Sequence, residues 1–379
     1  WRKGEPAAAA AGGPDGSSNG NNGDDNDDDK GKKAAAALKQ PEEIMLVCIS
    51  TAKMLLTIQA NKNNNNVRMV VDASDILEVA ESSEYAYFSE ATSELAHVDP
   101  SSLPQKQRAV FFINLYNLMI LHAALEKARW RKKGDSKTRW LPRASPFGWM
   151  KFLRSATYNV GGNIYSALDV EHSILRSSRP NNDNVFIGRL LGRLPSNDPR
   201  LKCKVNQEIP LLTFALCPGT MCSPPLKCFH EHNFEEELVR SAETFLSKYC
   251  HAQVCERSSR SSWSKKSNAS SSLSVAEAAA ALKAAKSSSA PASSSFVLEV
   301  RLPLLLKWYR HDLGGGAAAG GGSGGTGGKN STKWLLSIAS LIKGTKASHC
   351  ILEAIDAAMP IDLKYDTYKW ELGWMLQES

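Results

Sequence analysis

The stretch "FALCPGTMCSPPLKCFHEH", Phe214 to His232, sets Cys217, Cys222 and Cys228 beside His230 and His232. Those residue types suit two chemistries, a zinc centre and a thiol nucleophile. Tetrahedral zinc wants paired ligands such as Cys-X2–4-Cys, with a second pair of the same kind. Four residues separate Cys217 from Cys222, five separate Cys222 from Cys228, and Glu231 alone separates the histidines. Cys250 and Cys255 add another four-residue gap. Pro218, Pro224 and Pro225 interrupt the stretch, so no standard knuckle forms and no metal ligand or cofactor is assigned.

A cysteine or serine nucleophile needs a histidine within hydrogen-bond reach and a third polar group to orient the ring. His172, in "SALDVEHSILR", is the best base, Asn117 the group that would orient it, and Cys222 or Ser223 the nucleophile. Against this stands a plainer reading. Buried polar groups must be paired, and His172, Glu171, Arg176 and the asparagines would then form a network that fixes a helix against a hairpin. A lone histidine on a helix is more often structural, and that reading is preferred.

The elements that must position these residues are legible in part. "PQKQRAVFFINLYNLMILHAALEKA", Pro104 to Ala128, places proline at a first turn and is then apolar nearly all round, which predicts a buried central helix. Its Asn114 and Asn117 must find partners in the core. Pro41 to Asn61 and Ser74 to Phe88 carry helical spacing. "TYNV" and "NIYS" flank Gly161-Gly162, a two-residue hairpin turn. Ser166 with Asp169, and Asn233 with Glu236, read as capping boxes. "LLTFAL", Leu211 to Leu216, reads as a buried strand, as does "FVLEVRLP". "LPLLLKWYRHDL", "TKWLLSIASLIK" and "ASHCILEAIDAAM" follow as helices, and "IDLKYDTYKWEL" alternates like a strand. This order predicts an α+β fold: a helix-rich single domain around a small, mainly antiparallel sheet.

Composition sets the outer limits. The chain has 379 residues and a formal net charge of +7. Residues 1–40 read as a disordered low-complexity tail, 256–295 as a disordered Ser/Ala insertion and 314–331 as a Gly-rich linker, since such text buries too little apolar surface to offset chain entropy. Within the insertion, Val275 to Lys286 reads as a short helix with no stripe to dock. The remainder, 41–255 with 296–376, is one domain. No apolar run is expected to reach the roughly eighteen residues of a membrane span. Eight cysteines is ordinary usage and favours free thiols in a reducing compartment. The chain begins at Trp1 and reads as a fragment, so the expected location is cytoplasmic or nuclear, with a targeting segment left open at the N-terminus. "RWRKKGDSKTRWLPR", residues 129–143, is the densest basic run and the place where an anionic partner, phosphate or lipid headgroup, would bind.

Several of these blocks together resemble the domain-of-unknown-function 547 family, in its plant or algal form. "AVFFINLYNLMILHAAL" is similar to the family's aromatic pair followed by Ile-Asn-Leu-Tyr-Asn. "YNVGGNIYSALDVEHSILR" resembles its glycine hairpin and Ile-Glu-His-X-Ile-Leu-Arg element, and "TFALCPGTMCSPPLKCF" its Phe-Ala-Leu and Ser-Pro segment. "LPLLLKWYRHDLGG" and "YDTYKWEL" match the plant-type C-terminal half. Many bacterial-type members read Asn-Cys-Gly-X-X-Ser-Cys-Pro-Pro here. Pro218 then stands at their first cysteine and Ser223 at their second, while Cys217 and Cys222 each sit one residue early, on the opposite face of an extended chain. The resemblance implies no established activity. The expected function is a non-catalytic protein-interaction module whose partner is another protein. The alternative is a papain- or transglutaminase-like acyl transferase or hydrolase using His172 with Ser223 or Cys222.

Overall fold

A computed structural model describes residues 43–46, 48–52, 70–71, 73–130, 142, 144–177, 194–258, 269–270, 273–287, 294–313 and 329–375. The predicted tail, most of the basic run 129–143 and most of the Gly-rich linker lie outside the described residues. Residues 41–379 form one compact unit.

The central helix organises the N-terminal half. β1 (Val70–Val71) precedes α1 (Ala73–Glu81) and α2 (Glu84–Ser93), which the sequence had suggested as one helix. α3 (Gln105–Arg129) is buried at every position from Ala109 to Leu125. By length and composition α3 could cross a membrane, contrary to the expectation above, but 94% of its apolar window is buried inside the protein. It is the axis of a core. α4 (Pro146–Ser155) starts where Ser145 Oγ accepts the Gly148 N–H at 3.1 Å, with Pro146 at the first helical position. β2 (Thr157–Val160) and β3 (Asn163–Ser166) form the predicted hairpin, with Gly161 and Gly162 at φ of +57° and +79°. The capping box also forms: Ser166 Oγ accepts Asp169 N–H at 3.1 Å, and Asp169 Oδ2 accepts Ser166 N–H at 2.9 Å.

Two expectations fail next. "LLTFAL" is a 3-10 turn, Leu212–Phe214, entered through Leu211 in the left-handed region at φ +61°. A six-residue apolar run is the ambiguous case for sequence reading, and tertiary contacts decided it. Asn233 does precede α5 (Phe234–Tyr249), but its side chain makes no capping bond. Glu235, Glu236 and Glu237 instead place negative charge at the helix's positive end.

The C-terminal half is built on one sheet. β4 (His251–Ser258), β5 (Ala269–Ser270), β6 (Ser294–Leu302) and β7 (Ile361–Tyr365) are ordered β5-β4-β6-β7, and only β6–β7 is parallel. Between β5 and β6 lies α6 (Val275–Ser287), inside the segment expected to be disordered. Val275, Ala278 and Ala279 are buried and Leu282 half-buried, an i, i+3, i+4, i+7 stripe made mostly of alanine. Small side chains let the helix lie close to the sheet, so the expectation of an exposed helix is corrected. "LPLLLKWYRHDL" divides into Leu304–Trp308 and a 3-10 turn, Arg310–Leu313. α7 (Lys329–Leu341) packs on α5 and on α8 (Lys346–Asp356), α8 packs on the sheet, and β8 (Trp374–Met375) returns to pair with β1. Two apolar clusters result, one around α3 and one around the sheet, and both Leu211 and Trp370 pack against each.

Candidate functional site

His172 lies in a π-helical turn, Val170–Leu175, that follows the hairpin and the capped turn Ala167–Asp169. Arg176 N–H bonds to Glu171 O at 3.1 Å, a five-residue step that widens the turn. That step brings Arg176 Nε within 3.3 Å of Glu171 Oε1. Arg176 Nη1 donates to both carboxylate oxygens of Asp312, at 2.8 and 3.0 Å, and Asp312 Oδ2 also accepts the Thr213 N–H at 2.7 Å. All three charged side chains are buried. Burial alone would weaken the guanidinium's charge, but the carboxylates of Asp312 and Glu171 outweigh it and hold Arg176 more firmly protonated. The Tyr309 ring lies against this group, 4.3 Å from Arg176 Cζ to its centroid. Burial, and then the Glu171 charge, push the Tyr309 phenol well above its ordinary range. Breaking one partner of such a group leaves an uncompensated buried charge.

Glu171 and Arg176 of this cluster line a cavity of about 290 Å³. Trp149, Tyr116, Tyr309, Tyr368, Trp308 and Trp370 are among its lining residues, with His172, Glu171 and Arg176 at one side and Pro218 at another. The aromatic wall follows from the sheet. Because β6 and β7 run parallel, the residues just beyond their C-terminal ends emerge at the same edge. Trp308 therefore meets Tyr368 and Trp370, with ring centroids 5.1 and 5.7 Å apart, and Tyr368 lies 4.5 Å from Trp370. Trp149 of α4 also lines the cavity and donates its indole N–H to the Trp370 carbonyl. Phe147, 64% exposed, stands at the cavity's lining on the solvent side.

Asn117, Ser223 and Cys222 make hydrogen bonds around the cysteine-rich stretch. Asn117 Nδ2 donates to Ala215 O at 3.0 Å and its Oδ1 accepts Cys217 N–H at 2.8 Å. One turn earlier, Asn114 treats Phe229 in the same way, at 2.8 and 2.9 Å. The two asparagines imitate a strand's hydrogen-bond edge inside the core and clamp both ends of the cysteine-rich stretch. Ser223 Oγ accepts Thr220 N–H at 2.7 Å and pairs with Thr220 Oγ1 at 3.0 Å, which in turn meets Tyr368 Oη at 2.6 Å. Cys222 Sγ accepts Lys369 N–H at 3.3 Å. Burial pushes the Cys217 thiol up to about 12 and raises that of Cys222, so both favour the unreactive protonated form. Neither Cys222 nor Ser223 lines the cavity onto which His172 opens. His172 Nε2 stands 3.9 Å from Glu171 Oε2.

Sequence reasoning named Glu171, His172 and Arg176 but missed Asp312, Tyr309 and the aromatic wall. The signal was present as aromatic density in "KWYRHDL" and "YDTYKW", read there only as helix and strand. Among the described residues, no group of three His, Cys, Asp or Glu side chains is placed to hold a metal ion.

Residues 100–246 match the family model described as "Protein of unknown function, DUF547". No curated protein and no solved structure matches the chain. The matched segment contains α3, the hairpin, the π-helical turn and the cysteine-rich stretch. Asp312, Trp308, Tyr368 and Trp370 lie beyond it.

Proposed function

We propose that this chain, whose residues 100–246 match the DUF547 family model, is a binding module that seats an apolar anchor side chain of a partner protein in the cavity beside His172. One observation carries the reading: the cavity is walled by aromatic side chains, and neither candidate nucleophile lines it, Ser223 being bonded to Thr220 and Cys222 to the Lys369 amide. At about 290 Å³ it is about twice the roughly 150 Å³ that holds a benzene ring, which suits one large aromatic or aliphatic side chain. Anchors of that kind dominate the energetics of protein interfaces when a well-packed pocket excludes water around them. The acyl-transfer alternative, His172 with Ser223 or Cys222, gains no support from Asn117, whose amide clamps the backbone of Ala215 and Cys217.

The test is a display library of linear peptides selected on the purified chain, with binders re-measured on Leu153→Trp. Leu153 lines the cavity and is half-buried, so the larger ring fills the space. Enriched peptides should share one large apolar residue and lose about ten-fold or more in affinity on the filled variant. Binders indifferent to the filling would remove the cavity from the function. Fluorophosphonate labelling of Ser223, or iodoacetamide labelling of Cys222, that disappears in His172→Ala would establish the acyl-transfer reading instead.

A further inference from the structure

A second constellation lies at the far end of the cysteine-rich stretch, away from His172. His230 is extended, at φ −123° and ψ +145°, and Phe229 and Cys228 before it are both buried against the core around α3. Asn114 holds both the N–H and the carbonyl of Phe229. Cys228 Sγ is 3.9 Å from His230 Nε2. The ring's other nitrogen, Nδ1, stands 3.1 Å from Glu237 Oε1, and the second carboxylate oxygen accepts the His230 backbone N–H at 2.7 Å. The Glu237 side chain is only 6% exposed, so α5 holds it in place. A carboxylate accepts hydrogen bonds. Nδ1 therefore carries the hydrogen, and Nε2 presents its lone pair to the thiol.

Nucleophile, base and orienting acid stand in the order that thiol catalysis uses. His230 lines a cavity of about 270 Å³ together with Met45, Leu46, Val110, Phe111 and Phe229. Asn114, Glu231 and His232 complete the lining. We propose that Cys228, His230 and Glu237 form a thiol acyl-acceptor site, and that its substrate is a thioester of a medium-chain fatty acid whose chain occupies this cavity. His230 Nε2 takes the proton from Cys228 Sγ, and the sulfur attacks the thioester carbonyl carbon. A new carbon–sulfur bond forms, the bond to the leaving sulfur breaks, and that sulfur takes the proton back from Nε2. The products are S-acylated Cys228 and a free thiol, with no change in oxidation state. Lys227 Nζ lies 4.0 Å from the same oxygen, Glu237 Oε1, that faces the ring.

The alternative is that Glu237 and His230 merely staple helix to chain, and the two readings separate without any mutation. Cys228 is 9% exposed, whereas Cys222 and Cys350 are each more accessible. A structural staple leaves Cys222 and Cys350 the faster thiols toward limiting iodoacetamide. The acyl-acceptor site makes Cys228 react about ten-fold faster than either, and His230→Gln slows that labelling by about ten-fold or more. Incubation with octanoyl-coenzyme A should add one octanoyl group, on the peptide containing Cys228 and removable by hydroxylamine. Labelling of Cys228 no faster than Cys350, unaltered labelling in His230→Gln, or octanoylation elsewhere or nowhere would overturn the proposal.

Discussion

Arg176 and Asp312 stand 136 positions apart in the chain, yet both oxygens of the buried carboxylate lie within 3.0 Å of one guanidinium nitrogen. Asp312 also accepts the Thr213 N–H, and its own carbonyl accepts the Leu211 N–H at 2.8 Å. One aspartate thus joins the π-helical turn, the left-handed turn at Leu211 and the chain that leaves β6. The pair fastens the family-matched segment to the part that supplies the aromatic wall.

Asp312→Ala should therefore destabilise by about 3–5 kcal/mol, because the buried guanidinium loses its main counter-charge. Arg176→Met combined with Asp312→Leu should cost less than the sum of the single changes, since the double variant leaves no orphaned charge. Urea midpoints at constant slope measure both. Additive losses would mean that the two residues contribute separately.

Asn117→Leu keeps the volume of the central helix but strips the Ala215 carbonyl and the Cys217 N–H of their partners. Each unsatisfied buried group costs about 1–3 kcal/mol. The Cys217 amide should also lose hydrogen-exchange protection, while the Phe229 amide, held by Asn114, should keep it. Equal loss at both amides would show that the clamps are not independent.

Stability should rise with pH through the range set by His122. Burial lowers its imidazole from 6.5 to about 4, against a smaller opposing pull from Glu126. Nε2 meets Tyr85 Oη at 2.9 Å and Nδ1 meets Tyr158 Oη, while Glu126 Oε1 lies 4.0 Å away and also accepts from Tyr85. Between those two values the unfolded chain holds a proton that the folded chain does not. The contribution is complete above 6.5 and is lost as pH falls toward 4, at up to about 1.4 kcal/mol per pH unit and about 3 kcal/mol in all. Chemical denaturation at stepped pH on wild type and His122→Gln checks it, and the variant's profile should be flatter across that window.

The hairpin glycines separate conformational strain from collision. Both sit in the left-handed region, where a side chain costs about 1–2 kcal/mol. A Cβ on Gly162 meets nothing within 4 Å, but one on Gly161 would lie 2.4 Å from the Val98 carbonyl oxygen. Gly161→Ala should lower the melting temperature by clearly more than Gly162→Ala. Equal losses would mean that the loop at Val98 yields.

The sequence made α3, the hairpin and the Ser166–Asp169 box legible because each is specified by neighbours within a few positions. It also showed that Asn114 and Asn117 need partners, though not that the partners would be the two ends of the cysteine-rich stretch. His172, Glu171 and Arg176 could be grouped because they share one turn. Asp312, Tyr309, Trp308, Tyr368 and Trp370 could not, since only the parallel pairing of β6 with β7 brings them to one edge. The α6 stripe was overlooked because alanine weighs little in a hydropathy pattern while fitting tightly against a sheet. Cys228, His230 and Glu237 are close in sequence, but their alignment depends on a helix whose direction the residues alone do not reveal.

The parallel placement of β7 also has a temporal side. Parallel partners close a long loop before any contact rewards them, so this strand is expected to dock late in folding. The lining around Arg176 can assemble early, whereas the wall exists only after Tyr368 and Trp370 have arrived. Whatever occupies the cavity then binds only the finished molecule and holds its last strand shut, so saturating occupant should slow opening of β7 before it alters any other part of the sheet.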